Sequence, residues 1–367
     1  MTGKRISRRS FLRLSGAGAL AGLGVAATGC TVNTTAQQGE SKGGGSKNQL
    51  NLYNWTDYIA PSNIKDFEKK TGARVVQDFY TSNEEMLAKL QAGGTGYDII
   101  VPSDYMVQIM AKSKLLEELD HSRIPNFKNI GKDFRSLPFD PGNRHSIPWQ
   151  WGTTGIFYNR RKVGKKIESW DAMWDPRFKG KIAMLDDARE LIAAALEHLG
   201  YSINTKDKSK LEEAKQLLIK QKPLLKGYFA DTDSDQMVAK GDLLLAQNYS
   251  GNAMLYIFKN KDLDYVIPEP SSDRWTDNMC IPKGAPHLDL AYEFINFMLS
   301  PEQGAALTNY TMYGTPNQAA IPLVKKKIRQ VPWWNPPESV MKRLQVMQDV
   351  GEATRLYERI FTEVKSA

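Results

Sequence analysis

The stretch LNLYNWTDYIAPSNIKDFEKKTGARVVQDFY, residues 50–80, reads as strand, helix and strand in immediate succession. Leu50-Asn51-Leu52-Tyr53 is the first strand. Pro61 to Lys70 is a helix: proline suits an early helical position, where its missing N–H has no partner to lose, and Gly72 stops it. Ala73 to Tyr80, with Arg74-Val75-Val76 at its heart, is β-branched enough to return as a strand. Farther along, Asn83 caps a helix to Gln91, with Met86, Leu87 and Leu90 on one face and Gly93-Gly94 at its end. Tyr97 to Val101 is a buried strand closed by Pro102. The pattern resumes with a strand over Lys181–Leu185, helices over Ala188–Leu199 and Leu211–Lys220, and short strands over Leu243–Gln247 and Tyr265–Ile267. Leu288, Ala291, Tyr292, Ile295 and Leu299 then recur at helical spacing. Such alternation predicts an α/β fold with a mostly parallel sheet, and no internal repeat of 20 to 50 residues is present.

Two places interrupt the alternation. Trp151-Gly152-Thr153-Thr154-Gly155 lies between apolar runs, and Pro268 to Thr276 is rich in Pro, Ser and Asp. Chain crossings there would divide the body into two discontinuous lobes, expected over residues 49–153 with 276–321 and residues 154–275 with 322–367, with a cleft between them.

The chain has 367 residues, enough for two domains, and its 41% hydrophobic content supplies an ordinary core. The net charge of +8 is uneven. Residues 1–29 carry Lys4, Arg5, Arg8, Arg9 and Arg13 and no acid, while the remainder has 44 basic against 41 acidic residues. That residue gives no nucleic-acid footprint. Of the two cysteines, Cys280 sits in the apolar run Met279-Cys280-Ile281 and reads as a buried thiol. Cys30 ends a leader.

The leader stands apart from the fold. Ser7-Arg8-Arg9-Ser10-Phe11-Leu12-Arg13 resembles a twin-arginine export signal. Leu14 to Ala27 is apolar but short for a bilayer span. Ala27-Thr28-Gly29-Cys30 resembles a lipoprotein box, with Ala27 where an aliphatic residue is usual. Residues 1–29 are thus expected to be a signal peptide and Cys30 the lipidated residue. Residues 30–48, ending in Gly43-Gly44-Gly45-Ser46-Lys47-Asn48, have the composition of a flexible tether. The chain is expected to be anchored to a membrane, not to span it.

Catalytic sets are missing. His121, His145, His198 and His287 are scattered, with no metal-ligand spacing. There is no nucleophile elbow and no phosphate loop. Ser62-Asn63-Ile64-Lys65 and Lys70-Thr71-Gly72 match fragments of serine-enzyme motifs, but they crowd one helix and are read as chance. What remains is aromatic and acidic residues in loops after strands: Asn54 to Tyr58, Ser103-Asp104-Tyr105, Asp186 to Glu190, Asn248 to Gly251, Trp275-Thr276-Asp277 and Tyr313 to Pro316. Ligands of open α/β sheets bind beyond the carboxyl ends of strands, so these loops are expected to converge. Tryptophan and tyrosine faces attract cations and accept methylenes, and each buried ammonium needs a carboxylate. Singly, each has a bland alternative. Asp187 and Glu190 have capping-box spacing, Ser103 suits a turn, and Trp55 and Trp275 suit a core.

The stretches Tyr53 to Tyr58, Tyr97 to Ser103, Ser146-Ile147-Pro148, Asp186 to Glu190 and Thr315-Pro316-Asn317 resemble the spermidine/putrescine-binding proteins of bacterial ABC importers, over about residues 50–360. The resemblance implies a type II periplasmic-binding fold, two lobes joined by crossing strands and closing over solute. It implies that Trp55 and Tyr58 wall the site, with Thr56 beside them, and that Ser103 and Tyr105 are contacts on the same lobe. Asp187 and Glu190 are implied as carboxylates for amines on the other lobe. Trp275 is implied as a stacking ring, Asp277 as a further carboxylate and Tyr313 as a further contact. Asp57 stands where some relatives carry glutamate, and Tyr249 where some carry tryptophan. The family places a glutamine contact near Met347-Gln348-Asp349, with Gln348 as the candidate. The expectation is therefore a monomeric, non-enzymatic polyamine carrier serving an ABC permease, with no cofactor, no metal and no nucleic-acid partner. The alternatives are a carrier of another cationic amine or amino-acid derivative, or a sensor on the same fold.

Overall fold

Strand, helix and strand open the folded body as β1 (Gln49–Trp55), α1 (Pro61–Thr71) and β2 (Arg74–Tyr80). The computed structural model describes residues 48–93 and 96–367. The leader, Cys30, the tether up to residue 47 and Gly94 lie outside the described residues. Pro61 begins α1, and Gly72, at φ 71°, ends it in the left-handed region that glycine enters freely. After α2 (Asn83–Gln91) comes β3, which is only Ile99–Ile100, and then α3 (Asp104–Lys112). The three strands form a parallel sheet in the order β2-β1-β3. Phe67 of α1 is fully buried against Phe294 and Phe297 of a later helix.

The second sheet is organised by β4 (Ile147–Asn159), thirteen residues long and buried throughout. It is followed by α4 (Arg160–Val163), β5 (Ile182–Leu185), α5 (Ala188–His198), α6 (Lys208–Gln221), β6 (Leu225–Phe229), α7 (Asp231–Lys240), β7 (Leu245–Tyr249), α8 (Ser250–Ile257), β8 (Leu263–Val266) and β9 (Ser272–Met279). α9 (Leu288–Met298), α10 (Pro301–Thr311), β10 (Leu344–Gln345) and a last helix over Thr354–Ser366 complete the chain. The sheet has seven strands in the order β10-β9-β4-β7-β5-β6, with β8 also on β4. β5 is parallel to both its neighbours, but β4 is antiparallel to β7, β8 and β9, so the sheet is mixed rather than mostly parallel.

The first interruption expected as a junction is in fact strand, and the second becomes strand from Ser272 on. Residues 151–155 are the middle of β4, and Ser272–Thr276 begins β9. β9 pairs with the first half of β4 and β8 with the second half, while β7 takes the other edge of that second half. β4 thus runs from one core to another. Of the five apolar clusters among the described residues, the two largest lie at its ends: one gathers Leu50, Leu52, Phe67, Phe294 and Ile295, and one gathers Leu191, Ile192, Leu211, Leu218 and Tyr357. A strand covered on both faces shows no polar alternation. Its glycines are there for close approach rather than for turns. A Cβ on Gly152 would lie 2.5 Å from the Trp275 ring, and one on Gly155 would strike the Val266 carbonyl. Pro148, which has no N–H to give, sits where the β4–β9 register slips.

Cys280 is fully buried and has no disulfide partner among the described residues, and burial pushes its thiol pKa up. Among the described residues, no helix is long and apolar enough to cross a membrane.

Candidate functional site

A cavity of about 370 Å³ opens where the ends of the two sheets meet. Its walls carry Asp57, Asp104, Glu190, Asp231, Asp235 and Asp277 and, among the described residues, no lysine, arginine or histidine. None of those six acids forms an ion pair among the described residues. In a chain with a net charge of +8, this pocket gathers acids without counter-charge.

Asp277 is its best-defined group. It lies near the end of β9, 6% exposed. Tyr58 donates its hydroxyl to one carboxylate oxygen at 2.7 Å, and Ser103 donates to the other at 2.7 Å. Burial lifts its pKa to about 6, against the opposing pull of those two donors. Ser103 occupies the N-cap of α3 yet makes no capping bond, because its hydroxyl is turned to Asp277. The helix end gives up a bond worth about 1 kcal/mol to hold that carboxylate. Tyr58 is placed by the loop after β1, where Asp57 takes a positive φ of 55°. Thr56 and Asp57 line the cavity from its exposed rim.

Aromatic rings surround this acid. Trp275 packs edge-on against Tyr249 at 5.7 Å and Tyr313 at 5.1 Å, and Tyr313 meets Tyr58 at 5.5 Å. Trp55 lies against Tyr80, its indole N–H donating to the Val101 carbonyl at 2.9 Å. Gly251 leaves room for the Tyr313 ring as Gly152 does for Trp275. The Trp275 indole nitrogen is buried without a partner.

The acids at the start of α5 divide their roles. Asp187 is the N-cap and accepts from the backbone N–H groups of Arg189 and Glu190, at 2.9 Å each. It does not line the cavity. Glu190 does. Its carboxylate makes no return capping bond, and one of its oxygens is buried without a partner. Burial pushes its pKa well up, helped by the charges of Asp273 and Asp187. The capping-box spacing therefore describes Asp187 but leaves Glu190 free. Tyr105 also lines the cavity and donates to Glu84 at 3.0 Å.

Gln348 is elsewhere. It is exposed and lines a second cavity of about 390 Å³ with Gln108, Arg274 and Thr276, while its neighbour Met347 faces both cavities. The structure thus brings together Trp55, Thr56, Asp57, Tyr58, Ser103, Tyr105, Glu190, Tyr249, Trp275, Asp277 and Tyr313, and leaves Asp187 and Gln348 outside the lining. It adds Asp231, Asp235 and Asn252, which the sequence reading did not single out. Their signal was available in the acid run Asp231-Thr232-Asp233-Ser234-Asp235, whose first and last acids lie four apart, on one helical face.

Comparison with known proteins agrees with this geometry. Residues 63–337 match the family model of bacterial extracellular solute-binding proteins. A putrescine-binding periplasmic protein of Pseudomonas aeruginosa is 37% identical over 337 residues, which span 86% of this chain and 92% of that one. A spermidine/putrescine-binding periplasmic protein of Escherichia coli is 35% identical over 321 residues, 87% of this chain and 92% of that one. A solved Listeria monocytogenes structure, assigned to a spermidine/putrescine ABC transporter, superposes with a TM-score of 0.84 at 40% identity. It covers 87% of this chain and 99% of its own.

Proposed function

Because this chain belongs to the family of bacterial extracellular solute-binding proteins, we propose that it captures a polyamine outside the cytoplasm and hands it to an ABC permease without turning it over. One observation carries the reading: a cavity walled by aromatic rings and acids with no cationic side chain among the described residues. Buried carboxylates without counter-charge are costly, so the missing partner is positive. The rings of Trp55, Trp275, Tyr249 and Tyr313 suit both the ammonium and the methylenes of an alkyl amine. Asp277 and Glu190 take ammonium groups.

The lobes of this reading are residues 49–153 with 276–321 and residues 154–275 with 322–367, joined through β4 and β9, and they close on the solute. Support comes from the apolar clusters at the two ends of β4 and from the way β4 passes between them.

Titration calorimetry of amine-free protein with spermidine, putrescine and an uncharged diol of similar length tests the proposal. Heat with an amine and none with the diol is expected, together with a smaller radius of gyration on saturation. No heat from either amine in folded protein removes the polyamine reading, and an unchanged radius removes closure.

Anchoring belongs to the same reading. Residues 1–29 act as a twin-arginine export leader, and Cys30 takes the lipid, with the Gly- and Ser-rich tether holding the body off the membrane. Cys30→Ser is expected to move the exported protein from the membrane fraction to the soluble fraction. Retention of the variant on membranes would exclude the anchor.

A further inference from the structure

One end of the cavity is built by α7 and α8. Asp231 and Asp235 of α7 are four residues apart and so share a helical face. Asp231 accepts a hydrogen bond from the Asn252 side-chain amide, and Asn252 in turn accepts from the Tyr313 hydroxyl at 3.0 Å. Asp235 is 1% exposed, and its carboxylate accepts from the Asn248 amide at 2.8 Å.

Asp231 stands in the first turn, where an acid serves the helix dipole. That explanation does not reach Asp235, which is one turn deeper and buried. Like charges at this spacing repel, and neither acid has an ion-pair partner among the described residues. An ammonium seated between them removes the repulsion and supplies donors to both. A metal ion fits less well, since no group of three or more acid, histidine or cysteine side chains converges among the described residues.

The same cavity holds a second, independent sign of a missing donor. Glu190, 7% exposed, keeps one carboxylate oxygen buried and unpartnered. Asp277 on β9, Glu190 on α5 and the Asp231–Asp235 pair on α7 are thus three acid stations on three elements. Tyr313 links two of them, its ring 5.5 Å from that of Tyr58, which holds Asp277, and its hydroxyl on Asn252, which holds Asp231.

We propose that Asp231 and Asp235 form a third ammonium station, and that the cavity is therefore matched to a triamine rather than a diamine. This rests on the polyamine reading above and names the class of amine within it. A diamine satisfies two stations and leaves an acid group unpaired, whereas a triamine satisfies all three.

The test is calorimetry of the wild type, Asp231→Asn and Asp235→Asn with spermidine and putrescine, with thermal melts to establish that each variant is folded. The wild type is expected to bind spermidine at least about tenfold more tightly than putrescine. Each variant is expected to lose about tenfold or more for spermidine and less than about threefold for putrescine, since removing one partner of a buried charge pair falls mainly on the ligand that uses it. Asp231→Asn, at the less buried position, carries the test if Asp235→Asn does not fold. A wild type that favours putrescine, or a ratio that neither folded variant changes, overturns the third station while the polyamine reading stands. A wild type that binds neither amine overturns both.

Discussion

Asp277→Asn is expected to weaken amine binding by two to three orders of magnitude while leaving the empty protein folded. Truncating one partner of a buried, hydrogen-bonded charge pair costs about 2–5 kcal/mol, and each 1.4 kcal/mol is a factor of about ten in affinity. The side chain is 6% exposed, and no other carboxylate shares its donors, Tyr58 and Ser103. Asparagine keeps the size, and the two hydroxyls can turn to suit it. The charge alone is lost. Calorimetry reads the affinity and a thermal melt reads the fold; unchanged affinity in a folded variant would remove Asp277 from the site.

The same carboxyl sets a pH dependence with a definite sign. Its folded pKa is raised to about 6, and those of Asp273 and Glu84 to about 7, burial being the first cause in each case. In the unfolded chain such groups titrate near 4. Between these values the empty folded protein holds protons that the unfolded chain has released. Its stability is therefore greatest below about 4 as far as these groups decide it, and falls as pH rises through about 6 to 7. Amine binding runs the other way. It needs the Asp277 carboxylate, so the part of the affinity that this group supplies is full above about pH 7 and falls below about 6, approaching tenfold per pH unit for one proton. The thermal shift produced by saturating amine should accordingly shrink on acidification from pH 7.5 to 5.5. In Asp277→Asn the part of that dependence due to this carboxyl should disappear.

Trp275→Ala is expected to have the largest combined effect on stability and binding. The ring is 8% exposed and packed against Tyr249 and Tyr313. Emptying a site of this size costs about 3–5 kcal/mol of folding stability. Losing a desolvated ring face costs an ammonium ligand about 2 kcal/mol more. Trp275→Phe separates the two, because it keeps an aromatic face and most of the packing. It should hold most of the stability and bind amine better than the alanine variant. Gly152→Ala approaches the same ring from behind. Its Cβ would lie 2.5 Å from the indole and 3.1 Å from the Ser250 hydroxyl oxygen. An overpacking loss of about 1–3 kcal/mol is expected, with weaker amine binding although Gly152 touches no ligand. If folded Trp275→Ala bound amine as well as the wild type, the ring would be packing alone.

Local chemistry in the sequence determined the first sheet and its helices. Pro61 and Gly72 bound α1 and Asp187 starts α5, because caps and stops act within a turn of the residue that makes them; α2 is capped by Ser82, which accepts from the Glu85 N–H, and not by Asn83, the residue expected to cap it. The sequence also determined the chemical character of the site, since aromatic and acidic residues stand in the loops after strands whatever the packing. β4 was not legible. Pro148, Gly152 and Gly155 look like breakers, and only the partners that press on them, Trp275 and the Val266 carbonyl among them, show why glycine stands inside a buried strand. Nor was the division of labour between Asp187 and Glu190, whose spacing fits a reciprocal cap until the cavity shows the glutamate turned away. In the sequence Asp231 and Asp235 are two acids of a polar run with no assigned partner. Their hydrogen bonds to Asn252 and Asn248, on the elements that follow α7, place them in the cavity wall with no counter-charge among the described residues. Side-chain chemistry is local but contact between distant residues is not, so the sequence specified the groups, and the tertiary structure alone decided which of them face one another across the cavity.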